Sequence, residues 1–308
     1  TGGAGYCGSR LVPLLLERNY EVTVYDIMFF SDNFLPKNKN LKIVNGDIRD
    51  KPKLENACKD HDVFINLACI SNDASFELDE KLSTSINLEA FEPMVKIAKS
   101  NRISRFIYAS SSSVYGVSES ENVTEEHPLV PLTLYNKYKG MCEPILLNHT
   151  NDDFTGVIFR PATVCGYSPR LRLDLSVNIL TNHGFNNKKI KVFGGEQLRP
   201  NLHIRDYCDA ILLLVEAKKE LVKNQIFNVG YENMSIAKIA LLVKKVLENK
   251  FGMKNIDIEK SESDDKRSYH INSDKIKKIL NFVPKYSVEY AINELATAFK
   301  KDIIHNSF

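Results

Sequence analysis

The sequence of 308 residues predicts an α/β protein: a doubly wound parallel sheet followed by a smaller mixed α/β lobe. Strand-like and helix-like segments alternate through the first half, which is typical of βαβ units with right-handed crossovers. A glycine-rich turn opens the first helix, and a second set of segments follows residue 165. We assign residues 1–165 to a nucleotide-binding domain and 166–308 mainly to a substrate lobe, with segments near 190–230 returning to the first domain.

The individual elements follow from apolar periodicity and from turn residues between them. The pattern predicts strands at 21–26, 41–45, 62–67, 105–109, 153–159 and 225–229. It predicts helices at 77–100, 134–147, 175–183, 205–219 and 235–249, and amphipathic segments at 273–280 and 288–300 that close the lobe. No strand precedes the glycine turn, so we expect the native protein to have residues before Thr1.

Composition excludes several classes of function. The formal net charge of +2 predicts neither nucleic acid nor an anionic membrane as a partner, and no apolar run is long enough to span a bilayer. The six cysteines are scattered, without zinc-ligand spacing, which favours reduced thiols in a cytoplasmic protein and no metal site.

The glycine turn predicts a dinucleotide site. Gly2, Gly5 and Gly8 form Gly-x-x-Gly-x-x-Gly before a helix, where backbone N–H groups approach a pyrophosphate. Asp26 ends the next strand, where a carboxylate accepts from a ribose hydroxyl and repels a 2′-phosphate. We therefore predict NAD, rather than NADP, as the cofactor. Asp47 is placed to reach the adenine, and Ala68 follows a strand that passes under the cofactor.

A second motif predicts proton removal from an alcohol. Tyr135 and Lys139 lie one helical turn apart, on one face of a helix. An ammonium beside a phenol favours the phenolate, and at ~4 Å the attraction lowers the phenol pKa by up to roughly 3 units. We therefore expect Tyr135 to act as a general base near neutral pH. A hydroxyl from the serine run at 110–113 would hold the same substrate oxygen.

These motifs together resemble the extended short-chain dehydrogenase/reductase family, within it the NAD-dependent sugar-nucleotide epimerases and dehydratases, which have a Rossmann fold. They are Thr1-Gly2-Gly3-Ala4-Gly5-Tyr6-Cys7-Gly8, Gly46-Asp47-Ile48, the serine run with Val114-Tyr115-Gly116, and Tyr135-x-x-x-Lys139. The resemblance makes Ser111, Tyr135 and Lys139 the catalytic residues and implies a homodimer.

The resemblance also implies binding residues. The cofactor set is Gly2, Gly5, Tyr6, Cys7, Gly8, Asp26, Asp47, Ile48, Leu67, Ala68, Asn87, Ser110, Tyr135, Lys139, Arg160 and Ala162. The substrate set is Asn72, Ser112, Ser113, Thr163, Arg170, Arg199 and Arg267, with Arg199 and Arg267 at the diphosphate of a nucleotide-diphosphate sugar. Turn formation is the alternative role for Asn72.

The reaction type remains open among related alternatives. The two residues after the catalytic Ser111 are Ser112 and Ser113, where the 4,6-dehydratases typically have acids, and a hydroxyl is too weak to eliminate water. Chemistry at C4 of the sugar is favoured, with 4-epimerisation first and a 4-dehydrogenase or 4-keto-sugar reductase as alternatives. A dehydratase with unusual acids and a catalytically silent NAD-binding regulator are less favoured. The nucleotide stays open among UDP, GDP and CDP, with Ser168-Pro169-Arg170 a weak indication of GDP.

Overall fold

The structure is a computed structural model that describes residues 1–118, 120, 122–262 and 268–304. Its strands are β1 (Val22–Asp26), β2 (Leu41–Asn45), β3 (Val63–Asn66), β4 (Arg105–Ala109), β5 (Thr155–Pro161), β6 (Thr163–Cys165), β7 (Lys189–Phe193), β8 (Leu198–His203), β9 (Gln225–Val229), β10 (Glu232–Ser235) and β11 (Asp257–Ser261). Its helices are α1 (Gly8–Glu17), α2 (Lys51–Cys58), α3 (Asp73–Glu77), α4 (Glu80–Thr84), α5 (Phe91–Ser100), α6 (Leu134–His149), α7 (Ser176–Asn182), α8 (Ile204–Glu216), α9 (Lys219–Val222), α10 (Ile236–Phe251), α11 (Asp274–Leu280) and α12 (Val288–Lys300).

The main sheet is parallel throughout and has two parts. β2 pairs with β1, and β3, β4, β5 and β9 pair in that order. Thr1 and Gly2 lie between the parts: the Leu67 N–H donates to the Thr1 carbonyl at 3.1 Å, and the Gly2 N–H donates to the Tyr25 carbonyl at 3.1 Å. The carboxyl ends of these strands therefore meet at one edge, where the glycine turn begins.

Helices cover both faces of this sheet, so the predicted doubly wound Rossmann architecture is confirmed. On one face, α1 and α8 contribute Leu11, Ile211 and Leu214 to a core shared with β4, β5 and β9. On the other face, α2, α5 and α6 pack Leu54, Val95, Leu146 and their neighbours against the sheet. Because it is covered on both sides, β5 is buried along its whole length.

The second lobe has its own core. β6, β8 and β10 form one small sheet, and β7 pairs with β11 in another. Helices α7, α10 and α12 pack around a separate apolar cluster that includes Leu180, Val243 and Ile292. Helix α11, which was expected to close this lobe, packs instead on the first domain, where Ile276 and Leu280 join the core beneath β9.

The single helix expected at 77–100 is broken into α3, α4, a π-helical turn (Ser85–Glu89) and α5. Side-chain caps mark two helix starts in this region: Asn72 caps α3, before the expected range, and Asp79 caps α4 within it. The Asn72 carboxamide oxygen accepts from the Ser75 N–H at 2.6 Å, and the Asp79 carboxylate accepts from the Leu82 N–H at 2.9 Å. Among the described residues, no helix combines the length and apolar character needed to cross a membrane.

Candidate active site

A cleft of about 1310 Å³ opens at the carboxyl edge of the main sheet and extends to the second lobe. Most of the predicted site residues line it: Gly2, Gly5, Tyr6, Cys7, Asp26, Asp47, Ile48, Leu67, Ala68, Asn72, Ser110, Ser111, Ser113, Tyr135, Lys139, Ala162, Thr163, Arg170 and Arg199. Positions far apart in sequence thus share one cavity, although their individual roles stay predictions.

The glycine turn provides the dinucleotide end of this cleft. Gly2 has a φ of +74°, and a Cβ there would lie 2.6 Å from the Ala68 nitrogen, so only glycine fits. No described side chain caps the N-terminus of α1, but the Ser9 and Arg10 N–H groups already donate to the carbonyls of Gly5 and Cys7. An anion would therefore be held by the N–H groups of the glycine turn that precede them. Asp26 is held by N–H groups of Ala4 and Met28, each 3.0 Å from a carboxylate oxygen. These residues fit a dinucleotide pyrophosphate and an adenosine ribose.

Asp47 lines the same end, but its carboxylate already has a partner. The Arg49 guanidinium binds both carboxylate oxygens, and this hydrogen bonding holds the pKa of Asp47 below its ordinary value. The backbone of Asp47 is tied down as well, because its carbonyl accepts from the Tyr25 hydroxyl at 2.8 Å. Asp47 thus stays ionised near the predicted adenine position, with its charge shared by Arg49.

Three side chains form a neutral hydrogen-bonded chain at the reactive end. The Ser113 hydroxyl donates to the Asn136 carboxamide oxygen, and the Ser111 and Ser113 hydroxyl oxygens lie 2.7 Å apart. Because the proton of Ser113 is committed to Asn136, Ser111 donates to Ser113. The oxygen of Ser111 therefore offers a lone pair to the cleft, which suits it to accept from a substrate hydroxyl.

The predicted ionisation of Tyr135 differs from what the structure shows. Burial raises the pKa of Tyr135 well above its ordinary value, and the Cys69 thiol adds to this, whereas the positive charge of Arg172 opposes it. Lys139 is directed elsewhere: its ammonium donates to the Ala109 carbonyl at 2.7 Å and lies 5.2 Å from the centre of the Tyr108 ring. In this arrangement the pKa of Tyr135 is raised rather than lowered, which favours the phenol, and the role of Lys139 in forming a phenolate stays a prediction.

Arg160, predicted to contact the cofactor, is instead part of a buried structural network. Its guanidinium binds both carboxylate oxygens of Glu143, at 2.9 and 2.5 Å, and donates to the Tyr115 hydroxyl at 2.7 Å. Glu143 also accepts from the Ser110 hydroxyl at 2.6 Å. This network fixes the start of the serine run against α6, so Arg160 supports the site without lining it.

Three further predicted residues also lie off the cleft. Gly8 is packed against the glycine turn, since a Cβ there would lie 2.4 Å from the Gly3 carbonyl oxygen. Asn87 uses its carboxamide on the backbone of Ile70, with both the N–H and the carbonyl at 2.9 Å. Ser112 is 1% exposed, and its hydroxyl has no partner among the described residues. Arg267 lies outside the described residues.

The wall formed by the second lobe is cationic and aromatic. Arg199 projects beside Tyr269, with its guanidinium carbon 5.6 Å from the ring centre, and it donates to the Leu198 carbonyl. Lys191 and Gln197 line the same wall. Sequence reasoning missed these two, although the alternation of exposed and buried residues along β7 places Lys191 on its outer face. A guanidinium and an ammonium here suit the diphosphate of a substrate.

Arg170 lies away from this wall, toward the cofactor end. Its guanidinium carbon is 3.6 Å from the centre of the Phe30 ring. Burial and the neighbouring charge of Arg172 lower the pKa of Arg170, and the charges of Asp174 and Asp26 oppose this. Two residues further on, Arg172 makes a bidentate ion pair with Asp174, which also accepts from the Asn72 amide at 3.1 Å. Arg172 and Asp174 line the cleft and were not singled out from the sequence.

Three features define a dinucleotide-dependent oxidoreductase of Rossmann fold. They are a glycine turn at the N-terminus of α1, a carboxylate at the end of β1, and a serine, a tyrosine and a lysine in one cleft. Comparison with known proteins specifies the class. Residues 1–230 match the sequence profile described as the NAD dependent epimerase/dehydratase family. The chain belongs to this family, which confirms the predicted enzyme class, its sugar-nucleotide group and NAD as the cofactor.

Individual relatives cover most of the chain. A putative UDP-glucose 4-epimerase from Methanocaldococcus jannaschii is 31% identical over 72% of this chain and 74% of its own. A dTDP-glucose 4,6-dehydratase from Streptomyces niveus is 28% identical over 70% of this chain and 67% of its own. Among solved structures, UDP-glucuronic acid 4-epimerase from Bacillus cereus, in complex with UDP-glucuronic acid and NAD, is 25% identical with a TM-score of 0.84, covering 97% of this chain and 98% of that one.

Proposed function

We propose that this protein is a 4-epimerase of a nucleotide-diphosphate sugar that works through a 4-keto intermediate. The observation that carries the proposal is the neutral chain of Ser111, Ser113 and Asn136 in the cleft that also holds Tyr135. Its hydroxyl and amide groups can bind and orient a sugar hydroxyl. They supply no acid and base for eliminating water, as a dehydratase requires.

Tyr135 exchanges a proton with the sugar C4 oxygen. Ser111 keeps this oxygen in place by donating its own hydroxyl proton to it, which requires that hydroxyl to turn away from Ser113. When bound, NAD would supply the hydride acceptor for the C4 carbon and the hydride donor for the 4-keto sugar. Tyr135 is a phenol in the described arrangement, so it is ready to donate a proton to a 4-keto oxygen, and it must ionise before it removes one. The positive charge of Arg172 favours that ionisation, and the expected contribution of Lys139 requires its ammonium to leave the Ala109 carbonyl.

The diphosphate of the sugar nucleotide would lie along the second lobe, at Arg199 and Lys191, with Thr163 and Asn72 nearer the sugar. This arrangement sets the hexose between the lobe and Tyr135. The cleft of about 1310 Å³ is large enough for a dinucleotide and a nucleotide sugar together. A 4-keto sugar that turns within this space before the hydride returns gives epimerisation, whereas one that leaves gives dehydrogenation.

Two further features belong to the proposal. A homodimer is expected from the family resemblance, and a cytoplasmic location is expected from the cysteine pattern. Light scattering at micromolar concentration tests the first, since a monomeric mass would contradict it.

The decisive experiment follows products by NMR after incubation of the purified protein with UDP-, GDP- and CDP-hexoses. A C4 epimer formed without net change in NAD supports the proposal. Accumulation of a 4-keto sugar with stoichiometric NADH indicates a dehydrogenase, and a 4-keto-6-deoxy product indicates a dehydratase; either result would replace the epimerase assignment. Tyr135→Phe serves as the matched inactive control, because it removes one hydroxyl only.

A further inference from the structure

Residues 166–174, which we name the strap, connect β6 to α7 and line the cleft with Arg170, Arg172 and Asp174. We propose that the strap closes over the cofactor and retains NAD between turnovers, with Arg170 facing its pyrophosphate. This inference rests on the proposed function, since an epimerase has to return the hydride to the sugar that supplied it.

One end of the strap is hydrogen-bonded to the glycine turn and the start of α1. The Tyr6 hydroxyl donates to the Gly166 carbonyl at 2.7 Å, and the Ser168 hydroxyl donates to the Tyr6 carbonyl at 2.7 Å. Ser9 continues the contact, because its hydroxyl lies 2.9 Å from that of Ser168 and accepts from the Arg170 N–H at 3.3 Å. Ser9 and Ser168 are fully buried, so this end of the strap is a fixed anchor.

The other end reaches the loop that follows β3. Arg172 donates toward the Ser71 carbonyl at 3.5 Å, and the Asn72 amide donates to Asp174 at 3.1 Å. The Arg172–Ser71 contact of this end, at 3.5 Å, is longer than any contact of the fixed anchor, and the Asp174 side chain is 44% exposed. We call this end the latch, because its few partly solvated contacts can open while the buried anchor stays closed.

The two ends lie on opposite walls of one crevice. The glycine turn follows Thr1, and Thr1 lies between β1 and β3, where the strand order of the sheet reverses. A dinucleotide lies across the crevice at such a reversal. A strap tied to the glycine turn at one end and to the loop after β3 at the other therefore passes over the path of the cofactor.

The charge on the strap suits this position. Arg170 lies between the two ends, stacked on Phe30 and within electrostatic reach of Asp26, the residue predicted to bind the adenosine ribose. The guanidinium of Arg172 is occupied by its bidentate pair with Asp174: burial acts to raise the pKa of Asp174, and this pairing nevertheless keeps it below its ordinary value. The guanidinium of Arg170 is therefore the strap group suited to a pyrophosphate.

The test measures NAD exchange in the absence of any sugar nucleotide. Wild-type protein saturated with NAD is mixed with isotopically labelled NAD, and the label bound after rapid desalting is followed by mass spectrometry. Asp174→Ala, which opens the latch, is expected to exchange about fivefold to tenfold faster than wild type. Arg170→Gln is expected to speed exchange as well, by removing the charge at the pyrophosphate.

The matched control is Glu289→Ala, which breaks the exposed pair with Lys250 at 2.7 Å on the second lobe. Neither residue of that pair lines the cleft, so the Glu289→Ala variant is expected to exchange NAD at the wild-type rate. Circular dichroism establishes that each variant is folded before exchange is measured, and Arg172→Leu replaces Asp174→Ala if the latter unfolds.

Wild-type exchange rates in a folded latch variant would overturn the strap proposal while leaving the epimerase proposal intact. A raised KM for the sugar nucleotide with unchanged NAD exchange would also overturn it, because the strap would then cover the substrate. Fast NAD exchange in the variants, together with no epimer product from the wild-type protein, would refute the proposed epimerase reaction and support the strap proposal.

Discussion

Removing Glu143 should destabilise this protein more than most single substitutions, because it leaves a buried charge without its partner. The side chains of Arg160 and Glu143 are each 3% exposed, and their groups approach to 2.5 Å. After Glu143→Ala, among the described residues, the guanidinium keeps hydrogen bonds to the Tyr115 hydroxyl and the Glu125 carbonyl, both neutral, and it retains a weaker electrostatic interaction with the Glu125 carboxylate. Losing one member of a buried ion pair costs about 3–5 kcal/mol, which lowers the melting temperature of a chain of this size by about 6–20 °C.

The assay is urea unfolding followed by circular dichroism, with the free energy compared at equal m-values. The double variant Arg160→Met with Glu143→Leu replaces the pair by apolar groups of similar volume, and its loss is expected to stay below about 2 kcal/mol. Glu92→Ala is the surface control, since it breaks exposed contacts with Lys96 and His149, and such contacts contribute little to stability. A loss below about 1 kcal/mol for Glu143→Ala would refute the reasoning.

Three further predictions concern the cleft. Tyr135→Phe is expected to lower epimerisation about 10²–10⁴-fold with NAD retention unchanged, and a variant that keeps a tenth of the activity would contradict its role. Because burial raises the pKa of Tyr135, the rate of sugar oxidation is expected to rise with pH above neutrality. Arg172→Met removes a charge that lowers this pKa, so the rise is expected to move to higher pH. A pH–rate profile that shifts to lower pH would contradict this expectation. Calorimetry is expected to show NAD binding at least about a hundredfold tighter than NADP, because of repulsion at Asp26, and Asp26→Asn is expected to narrow the difference.

Much of the fold was accessible from the sequence because its determinants are local. The strands at 41–45, 105–109 and 225–229 end where apolar periodicity and turn residues place them. The start of α3 after Asn72 and the break at Asp79 were missed because apolar spacing was weighed above these capping side chains. Those caps are readable in sequence: each precedes a short helix and accepts from an N–H three residues on.

The site was harder to predict wherever a role depends on distant partners. Arg160 has the chemistry of a phosphate ligand, and only the approach of Glu143 from α6 shows that its charge is consumed within the core. The pKa of Tyr135 depends on burial by the surrounding chain, which spacing from Lys139 does not reveal. The sequence does not show that the loop after β6 brings Arg172 and Asp174 next to Asn72, a contact that depends on the tertiary fold.

The bridge between Asn87 and Ile70 has a consequence for altering substrate choice by design. The carboxamide of Asn87 bonds to the main chain of Ile70. It therefore fixes where the segment after β3 begins and places no requirement on the side chains of that segment. Libraries that randomise Ser71 and Ala74, which line the cleft, are expected to keep this segment in place provided that Asn87 and the capping residue Asn72 are retained. Variants selective for other sugars can then be selected at these positions while the main sheet is left unchanged.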